Sequence, residues 1–144
     1  MNNWRQGYYK LINPEKYIGN KNAIRYLSSY ELTCDKFFDT NPSILKWSSE
    51  PMRIPYIKPT DGNVHYYLPD YWIQYKKRDG TILQELIEVK PQKQTRKSRR
   101  KNPKQKLYED ITYAINLSKW QAARKYAKDR GWNFRIITEK DIFR

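Results

Sequence analysis

The chain has 144 residues and carries 29 Lys and Arg against 15 Asp and Glu, so its formal net charge is +14. This length is enough for one hydrophobic core and short for two, and we therefore expect a single domain over residues 1–144. The positive charge indicates a polyanionic partner, with nucleic acid as the first candidate; because no long apolar run is present, we expect no membrane partner.

The N-terminal sequence MNNWRQGYYK is polar and aromatic. It lacks the apolar centre of a secretory signal, so we expect the protein to stay in the cytoplasm where it is made. Cys34 is the only cysteine, which excludes a disulfide or a thiolate zinc site within one chain. Any metal must therefore be held mainly by oxygen ligands.

The first predicted element is an amphipathic helix from Asn22 to about Asp39, ended by the turn-forming sequence DTNPS. Its apolar stripe consists of Ile24, Leu27, Cys34 and Phe38. Three runs rich in aromatic and β-branched residues follow, separated by the turn signals KPTDGN and KRDG. They cover residues 52–57, 64–75 and 81–90 and predict a three-stranded antiparallel meander.

A basic stretch follows the third strand, with nine Lys or Arg and no acid between Lys90 and Lys106. It predicts a mobile basic arm or loop at about residues 91–106. A second helical pattern runs from Leu107 to Ala127, with a bend expected near Leu117. A last strand, WNFRIIT, and a short helix capped at Thr138 complete the chain. This order predicts an α/β fold, a mixed sheet flanked by helices.

The register of the second hairpin decides whether two acids meet. A three-residue loop, with Gly80 in the left-handed position, pairs Trp72 with Leu86 and places Asp70 opposite Glu88. Opposed carboxylates on one face of a sheet require a compensating cation, and Mg²⁺ suits them because it prefers oxygen ligands. A two-residue loop would instead place Asp70 opposite Val89 and the two acids on different faces.

Glu31 lies on the apolar stripe of the first predicted helix, where a charged group without a partner is costly. If this helix packs on the acid-bearing face of the meander, Glu31 completes a cluster of three carboxylates. Two alternatives remain open. Glu31 lies at the edge of the stripe, or it forms a structural ion pair with Arg25, Lys36 or Lys90.

This cluster fits the hydrolysis of a phosphodiester. A Mg²⁺ ion held by Asp70, Glu88 and the carbonyl oxygen of Val89, with Glu31 as a further ligand, would polarise the phosphoryl group and activate a water molecule. Lys90 follows Glu88 by two residues and projects from the same face, where it would orient that water or stabilise developing charge. The alternative is a surface ion pair in which Lys90 only neutralises Glu88.

The sequence LPD, residues 68–70, followed by IEVK, residues 87–90, resembles the PD-(D/E)xK nuclease superfamily, and most closely its TnsA-type endonuclease branch. Longer segments in the same order resemble the head-completion nucleases of T-even-type tailed bacteriophages across nearly the whole chain. Among them are NPSILKWSSEPMRIPYI, YAINLSKWQAA and DRGWNFRIITEKD.

The resemblance implies a restriction-endonuclease-like core that needs magnesium or manganese and no small-molecule cofactor. It implies that Asp70 and Glu88 bind the metal, that Lys90 is the catalytic lysine and that Glu31 is an additional acid. It also implies action on packaged double-stranded DNA ends during head completion, with head, portal or neck proteins as partners. The expected location is the host cytoplasm during phage assembly, and the protein could then be retained in the virion.

Charge alone predicts a DNA contact in the basic stretch, and Lys119 on the second helix is a further candidate. The residues in the stretch are Arg96, Lys97, Arg99, Arg100 and Lys101. The alternatives are a solvated linker or a contact to an acidic protein, and for Lys119 an exposed helix face. The lone histidine, His65, is five residues before Asp70, so in a regular strand it lies on the opposite face and is predicted to be a packing or surface residue.

Three functions therefore compete. The first is a metal-dependent DNA endonuclease acting in bacteriophage head completion. The second is a structural protein of the phage head or neck that keeps the nuclease fold and binds DNA without cutting it. The third is a basic adaptor for an acidic protein. The presence of Asp70, Glu88 and Lys90 together favours the enzyme.

Overall fold

A computed structural model describes residues 6–142. The strands and helices are, in chain order, β1 (Gly7–Tyr8), β2 (Arg25–Tyr26), α1 (Ser29–Thr40), β3 (Ile44–Ser49), β4 (Ile54–Ile57), β5 (Val64–Tyr67), β6 (Tyr71–Lys76), β7 (Ile82–Val89), α2 (Pro103–Asp129), β8 (Asn133–Ile137) and α3 (Glu139–Ile142). Two 3-10 turns cover Pro14–Lys16 and Gln92–Thr95. None of the helices within residues 6–142 is both long and apolar enough to cross a bilayer.

The central sheet has the strand order β3-β6-β7-β8. Strands β3, β6 and β7 are antiparallel neighbours, whereas β8 pairs parallel to β7. A parallel neighbour requires a long crossover, and here the crossover contains the 27 residues of α2. The predicted fold class, a mixed sheet flanked by helices, is confirmed.

Helices cover both faces of this sheet. On one face, Phe38 of α1 packs with Trp47, Tyr71 and Ile87. On the other face, Leu86 packs with the α2 side chains Trp120, Ala123 and Ala127. Because β7 is covered on both sides, the four consecutive residues 85–88 are buried.

The first helix begins seven residues later than predicted, at Ser29 rather than Asn22. Ser28 is its N-cap, since the Ser28 hydroxyl accepts a hydrogen bond from the Glu31 N–H. Upstream, Arg25–Tyr26 pairs as β2 with β1, and Leu27 is 41% exposed instead of lying on a buried stripe. The apolar spacing before Ser28 was therefore a coincidence, and the capping serine defines the true start.

The predicted meander is divided between two sheets. Strand β4 pairs with β5 in a separate two-stranded sheet, the β4–β5 hairpin, while β6 belongs to the central sheet. The predicted strand at residues 64–75 breaks at Pro69, which has no N–H to give to a ladder. In the central sheet, β6 pairs with β3, a strand at residues 44–49 that the sequence reasoning did not predict.

The basic stretch is shorter than predicted and is attached to the fold. Helix α2 begins at Pro103 after the N-cap Asn102, inside the region predicted as an arm. The Gln92 N–H donates to the Glu139 carboxylate at 3.1 Å, and the Ser98 N–H donates to Asp110 Oδ1 at 3.0 Å. These two acids attach the start and the middle of the stretch to the fold, which makes it a loop rather than a free arm, and its mobility stays a prediction.

Candidate active site

The β6–β7 hairpin has the register that brings the two acids together. Trp72 pairs with Leu86, and the Lys77 N–H donates to the Thr81 carbonyl oxygen at 2.8 Å. Gly80 has a φ of 90°, the left-handed conformation that a three-residue turn requires. The three-residue loop is confirmed and the two-residue alternative is wrong. Continued past Tyr71, this register places Asp70 opposite Glu88.

Asp70 is held in place by backbone contacts. Its Oδ2 accepts a 2.7 Å hydrogen bond from the Val89 N–H, and its carbonyl oxygen accepts from the Glu50 N–H at 2.9 Å. Burial, followed by repulsion from Glu88, raises the pKa of Asp70 well above its usual range. The negative form of Asp70 is therefore destabilised unless a cation shares the site.

Glu88 is only 4% exposed and has a partner on each oxygen. Oε1 accepts a 2.9 Å hydrogen bond from the Tyr67 hydroxyl, and Oε2 lies 3.7 Å from Lys90 Nζ. The Lys90 N–H donates to the Ile137 carbonyl oxygen of β8 at 2.9 Å, which fixes the end of β7. Glu88 and Lys90 are thus adjacent at the C-terminal end of β7, the edge of the sheet where Asp70 also lies.

The Val89 carbonyl oxygen is oriented towards the same site. In an extended strand, the N–H and C=O of one residue point to the same side. Because the Val89 N–H meets Asp70, its carbonyl oxygen also faces the Asp70 side of β7. Carboxylate and carbonyl oxygens are ligands that Mg²⁺ prefers, so the donor set at this edge fits that ion.

Glu31 approaches the acid pair from the other face of the sheet. Helix α1 packs on the face of Tyr71 and Ile87, opposite to the face that Glu88 shares with Leu86 by alternation. The role of Glu31 was predicted on the condition that α1 packs on the acid-bearing face of the sheet. That packing is wrong. Nevertheless, the Glu31 carbonyl oxygen accepts from the Tyr71 hydroxyl at 3.0 Å, next to Asp70.

The pKa of the Glu31 carboxylate is raised at this position. Burial raises its pKa, and repulsion from Glu50 and Glu88 raises it further. No Lys or Arg nitrogen of residues 6–142 lies within 4.0 Å of it, so the predicted ion pairs are wrong. Within the same residues, no three His, Cys, Asp or Glu side chains are arranged to hold one metal ion together.

Two residues near the acids were missed by sequence reasoning. Tyr67 contacts Glu88, but alternation along the predicted strand would have placed Tyr67 with His65 on the face opposite Asp70, so this contact depends on the break between β5 and β6. Glu50 donates its N–H to Asp70, and it is the one residue other than Gly with a positive φ, 47°, in the described chain. No sequence signal indicated Glu50, because its position depends on β3 lying beside β6.

Lys119 and the basic stretch lie in different surroundings. Lys119 is partly buried beside the rings of Tyr56 and Tyr67, so the exposed-face alternative is wrong. In the stretch, Arg100 Nε lies 3.0 Å from Glu109. In residues 6–142, no carboxylate lies within 4.0 Å of the cationic groups of Arg96, Lys97, Arg99 and Lys101.

His65 lies away from the acid pair. Its Nε2 contacts Asp61 Oδ2 at 2.7 Å in the turn region of the β4–β5 hairpin, with the imidazole 37% exposed. The prediction that His65 is a packing or surface residue is confirmed.

Comparison with known proteins agrees with this geometry. Residues 41–139 match the family described as "TnsA-like endonuclease N terminal", a range that contains Asp70, Glu88 and Lys90 but not Glu31. The chain is also 34% identical over 136 residues to the "Head completion nuclease" of Enterobacteria phage T4, which covers 90% of this chain and 88% of that protein. The chain therefore belongs to the TnsA-like endonuclease family and is a relative of this phage nuclease.

Proposed function

We propose that this protein is a magnesium-dependent DNA endonuclease that acts in bacteriophage head completion by hydrolysing phosphodiesters at packaged DNA ends. The observation that carries the proposal is the placement of Asp70 opposite Glu88 with Lys90 Nζ 3.7 Å from Glu88 Oε2. Family membership and the similarity to a phage head completion nuclease support the same conclusion.

The metal would be held by Asp70, Glu88 and the Val89 carbonyl oxygen, with Glu31 as a further acid and Mn²⁺ as a substitute for Mg²⁺. When bound, the ion would polarise the phosphodiester and lower the pKa of a coordinated water molecule. The raised pKa of Asp70 supports this role, because a cation would relieve the repulsion that raises it.

Lys90 supplies a compact positive charge at the same edge. Its ammonium neutralises part of the Glu88 charge and would face the oxygens of a bound phosphodiester, where negative charge grows during hydrolysis. Tyr67 holds the other oxygen of Glu88, so the carboxylate is fixed before substrate arrives.

The DNA duplex would contact the basic stretch through Arg96, Lys97, Arg99, Arg100 and Lys101. Four of these are exposed and Arg96 is partly exposed. Their charge attracts the phosphate backbone without reading sequence. The head, portal or neck proteins of the phage are the proposed protein partners, and the host cytoplasm during assembly, followed by the virion, is the proposed location of this single domain.

The decisive test incubates purified protein with linear and circular double-stranded DNA, with Mg²⁺ and with chelator. We expect cleavage with Mg²⁺ only, lost in Asp70→Ala and Glu88→Ala while DNA binding persists. Binding without cleavage in every metal condition would support a structural protein of the head or neck instead. Cleavage that is equal in chelator would exclude the metal-dependent mechanism.

A further inference from the structure

Lys119 comes from helix α2 and lies near the acid pair, whose members come from the start of β6 and from β7. Its Nζ is 5.8 Å from the ring centroid of Tyr56 and 5.9 Å from that of Tyr67, within the range of cation–π attraction. Both tyrosines are buried, and Tyr67 is the residue whose hydroxyl binds Glu88. The two rings therefore support the ammonium beside the proposed metal ligand.

Two other lysines of α2 have an acid beside them, and Lys119 has none within the described chain although it is partly buried. Lys106 and Lys125 each lie 2.9 Å from an aspartate one turn later, whereas no carboxylate of residues 6–142 lies within 4.0 Å of Lys119 Nζ. Burial lowers the pKa of Lys119, and the nearby Lys90 lowers it further.

A partly buried cation without a close counter-ion is costly, so its surroundings favour the arrival of an anion. Lys90 already has Glu88 at 3.7 Å, which leaves Lys119 as the cation whose charge is not used by a direct ion pair. The Glu88 and Asp70 carboxylates act on Lys119 from a greater distance and favour its charged form. A phosphodiester entering this edge would supply the close anion.

We propose that Lys119 binds a phosphate oxygen of the DNA at the cleavage position, so that it orients the reacting phosphodiester rather than attracting the duplex in general. This inference rests on the proposed nuclease function. It separates Lys119 from the basic stretch, whose exposed side chains would raise overall affinity.

The test compares Lys119→Met, which keeps the aliphatic chain on the two rings, with Lys119→Arg, which keeps the charge. The matched control is Lys125→Met on the same helix, since the Lys125 side chain is 77% exposed and paired with Asp129. Single-turnover cleavage of linear duplex DNA is measured with the protein in saturating excess, and DNA affinity is measured by fluorescence anisotropy in chelator.

We expect Lys119→Met to slow saturated single-turnover cleavage by about tenfold or more, while its affinity changes by less than about threefold. Lys119→Arg should recover part of the rate, and Lys125→Met should match wild type. A wild-type rate in Lys119→Met, or a loss of affinity with the rate intact, would overturn the inference while leaving the nuclease proposal in place.

A second measurement does not depend on cleavage. Lysines of the wild-type protein are acylated in chelator with and without a short duplex DNA, and the modified positions are read by mass spectrometry. We expect DNA to protect Lys119 and to leave Lys125 unchanged. If the wild-type protein never cuts DNA, the nuclease proposal fails. If DNA also leaves the acylation of Lys119 unchanged, the phosphate contact is refuted as well.

Discussion

The hydroxyl of Tyr67 donates a 2.9 Å hydrogen bond to Oε1 of Glu88, joining the β4–β5 hairpin to the central sheet at the acid pair. Both side chains are buried, with 5% and 4% exposure. A buried carboxylate with a fixed hydrogen-bond donor keeps one orientation. The hairpin, which is outside the central sheet, therefore supplies one of the two contacts that orient Glu88 beside Asp70.

Removing this hydroxyl should reduce both stability and cleavage. Tyr67→Phe keeps the ring but leaves Glu88 Oε1 without its donor, which should cost about 1.5–3 kcal/mol of unfolding free energy for a bond to a charged group. Cleavage should fall because Glu88 loses its fixed orientation. Urea unfolding and cleavage rates measure the two effects. Tyr66→Phe, an exposed position on the same strand, should change neither, and equal effects of both variants would contradict this role.

Asp70→Asn should stabilise the metal-free protein while abolishing cleavage. The amide oxygen can still accept from the Val89 N–H, and the repulsion from Glu88 disappears. We expect a gain on the order of 0.5–2 kcal/mol in chelator at neutral pH, and loss of the Mg²⁺-dependent rise in melting temperature. Thermal melts with and without Mg²⁺ test both.

The control for Asp70→Asn is Asp61→Asn. Hydrogen bonds to Asn63 and His65 lower the pKa of Asp61, so its negative form is already stabilised and amidation should give no gain. Asp70→Asn that melts below wild type in chelator would show that Asp70 is not destabilised in the metal-free state.

Glu31 can be tested as a metal-site acid against its role in the helix cap. Its N–H donates to the Ser28 hydroxyl, which in turn contacts the Glu31 carboxylate at 3.3 Å. Glu31→Gln should keep this cap and the fold but impair cleavage and metal affinity. Ser28→Ala should cost about 1 kcal/mol of stability and still cut DNA when folded. A Glu31→Gln protein that cuts normally would restrict Glu31 to the cap.

The basic stretch should set the salt dependence of DNA binding. Three exposed or partly exposed cations are changed together to Gln, namely Arg96, Lys97 and Arg99. We expect weaker binding and a slope of log affinity against log salt that is shallower by roughly 1 to 3, because fewer counter-ions are released. The control is the equal change of Lys76, Lys77 and Arg78 at the far end of the β6–β7 hairpin. Equal slopes for both triple variants would assign the stretch to another partner.

Asp35 should make stability depend on pH. Its side chain is fully buried, Oδ1 accepts a 2.7 Å hydrogen bond from the Tyr71 hydroxyl, and burial raises the pKa of Asp35 to about 8. Between about pH 4 and about pH 8 the native state keeps a proton that the unfolded chain releases, so this group lowers stability as the pH rises through that window.

Asp35→Asn removes this dependence, because the amide is neutral at every pH and can still accept from Tyr71. The variant and wild type should have similar unfolding free energies near pH 4, and the variant should be more stable near pH 8 by an amount on the order of a few kcal/mol. Denaturant titrations across this range measure the difference. A constant difference between the two proteins at all pH values would contradict a protonated Asp35.

Sequence alone determined the features that depend on neighbouring residues along the chain. The β6–β7 register followed from the position of Gly80, since a left-handed residue fixes the turn and the turn fixes every pair behind it. The meeting of Asp70 and Glu88 was therefore predictable. The short cap at Thr138 and Asp141 was also local, and the structure contains it.

Only the tertiary structure decided which elements cover which face. In the folded chain β3 lies beside β6, and β5 is separated from β6 at Pro69. Helix α1 packs on the face of the sheet opposite Glu88. Lys119, more than 25 residues after Lys90, lies beside Tyr67 because α2 crosses over that face before β8 pairs with β7. Such contacts join residues distant in sequence, and their formation depends on the packing of two sheet faces at once, which no local pattern encodes.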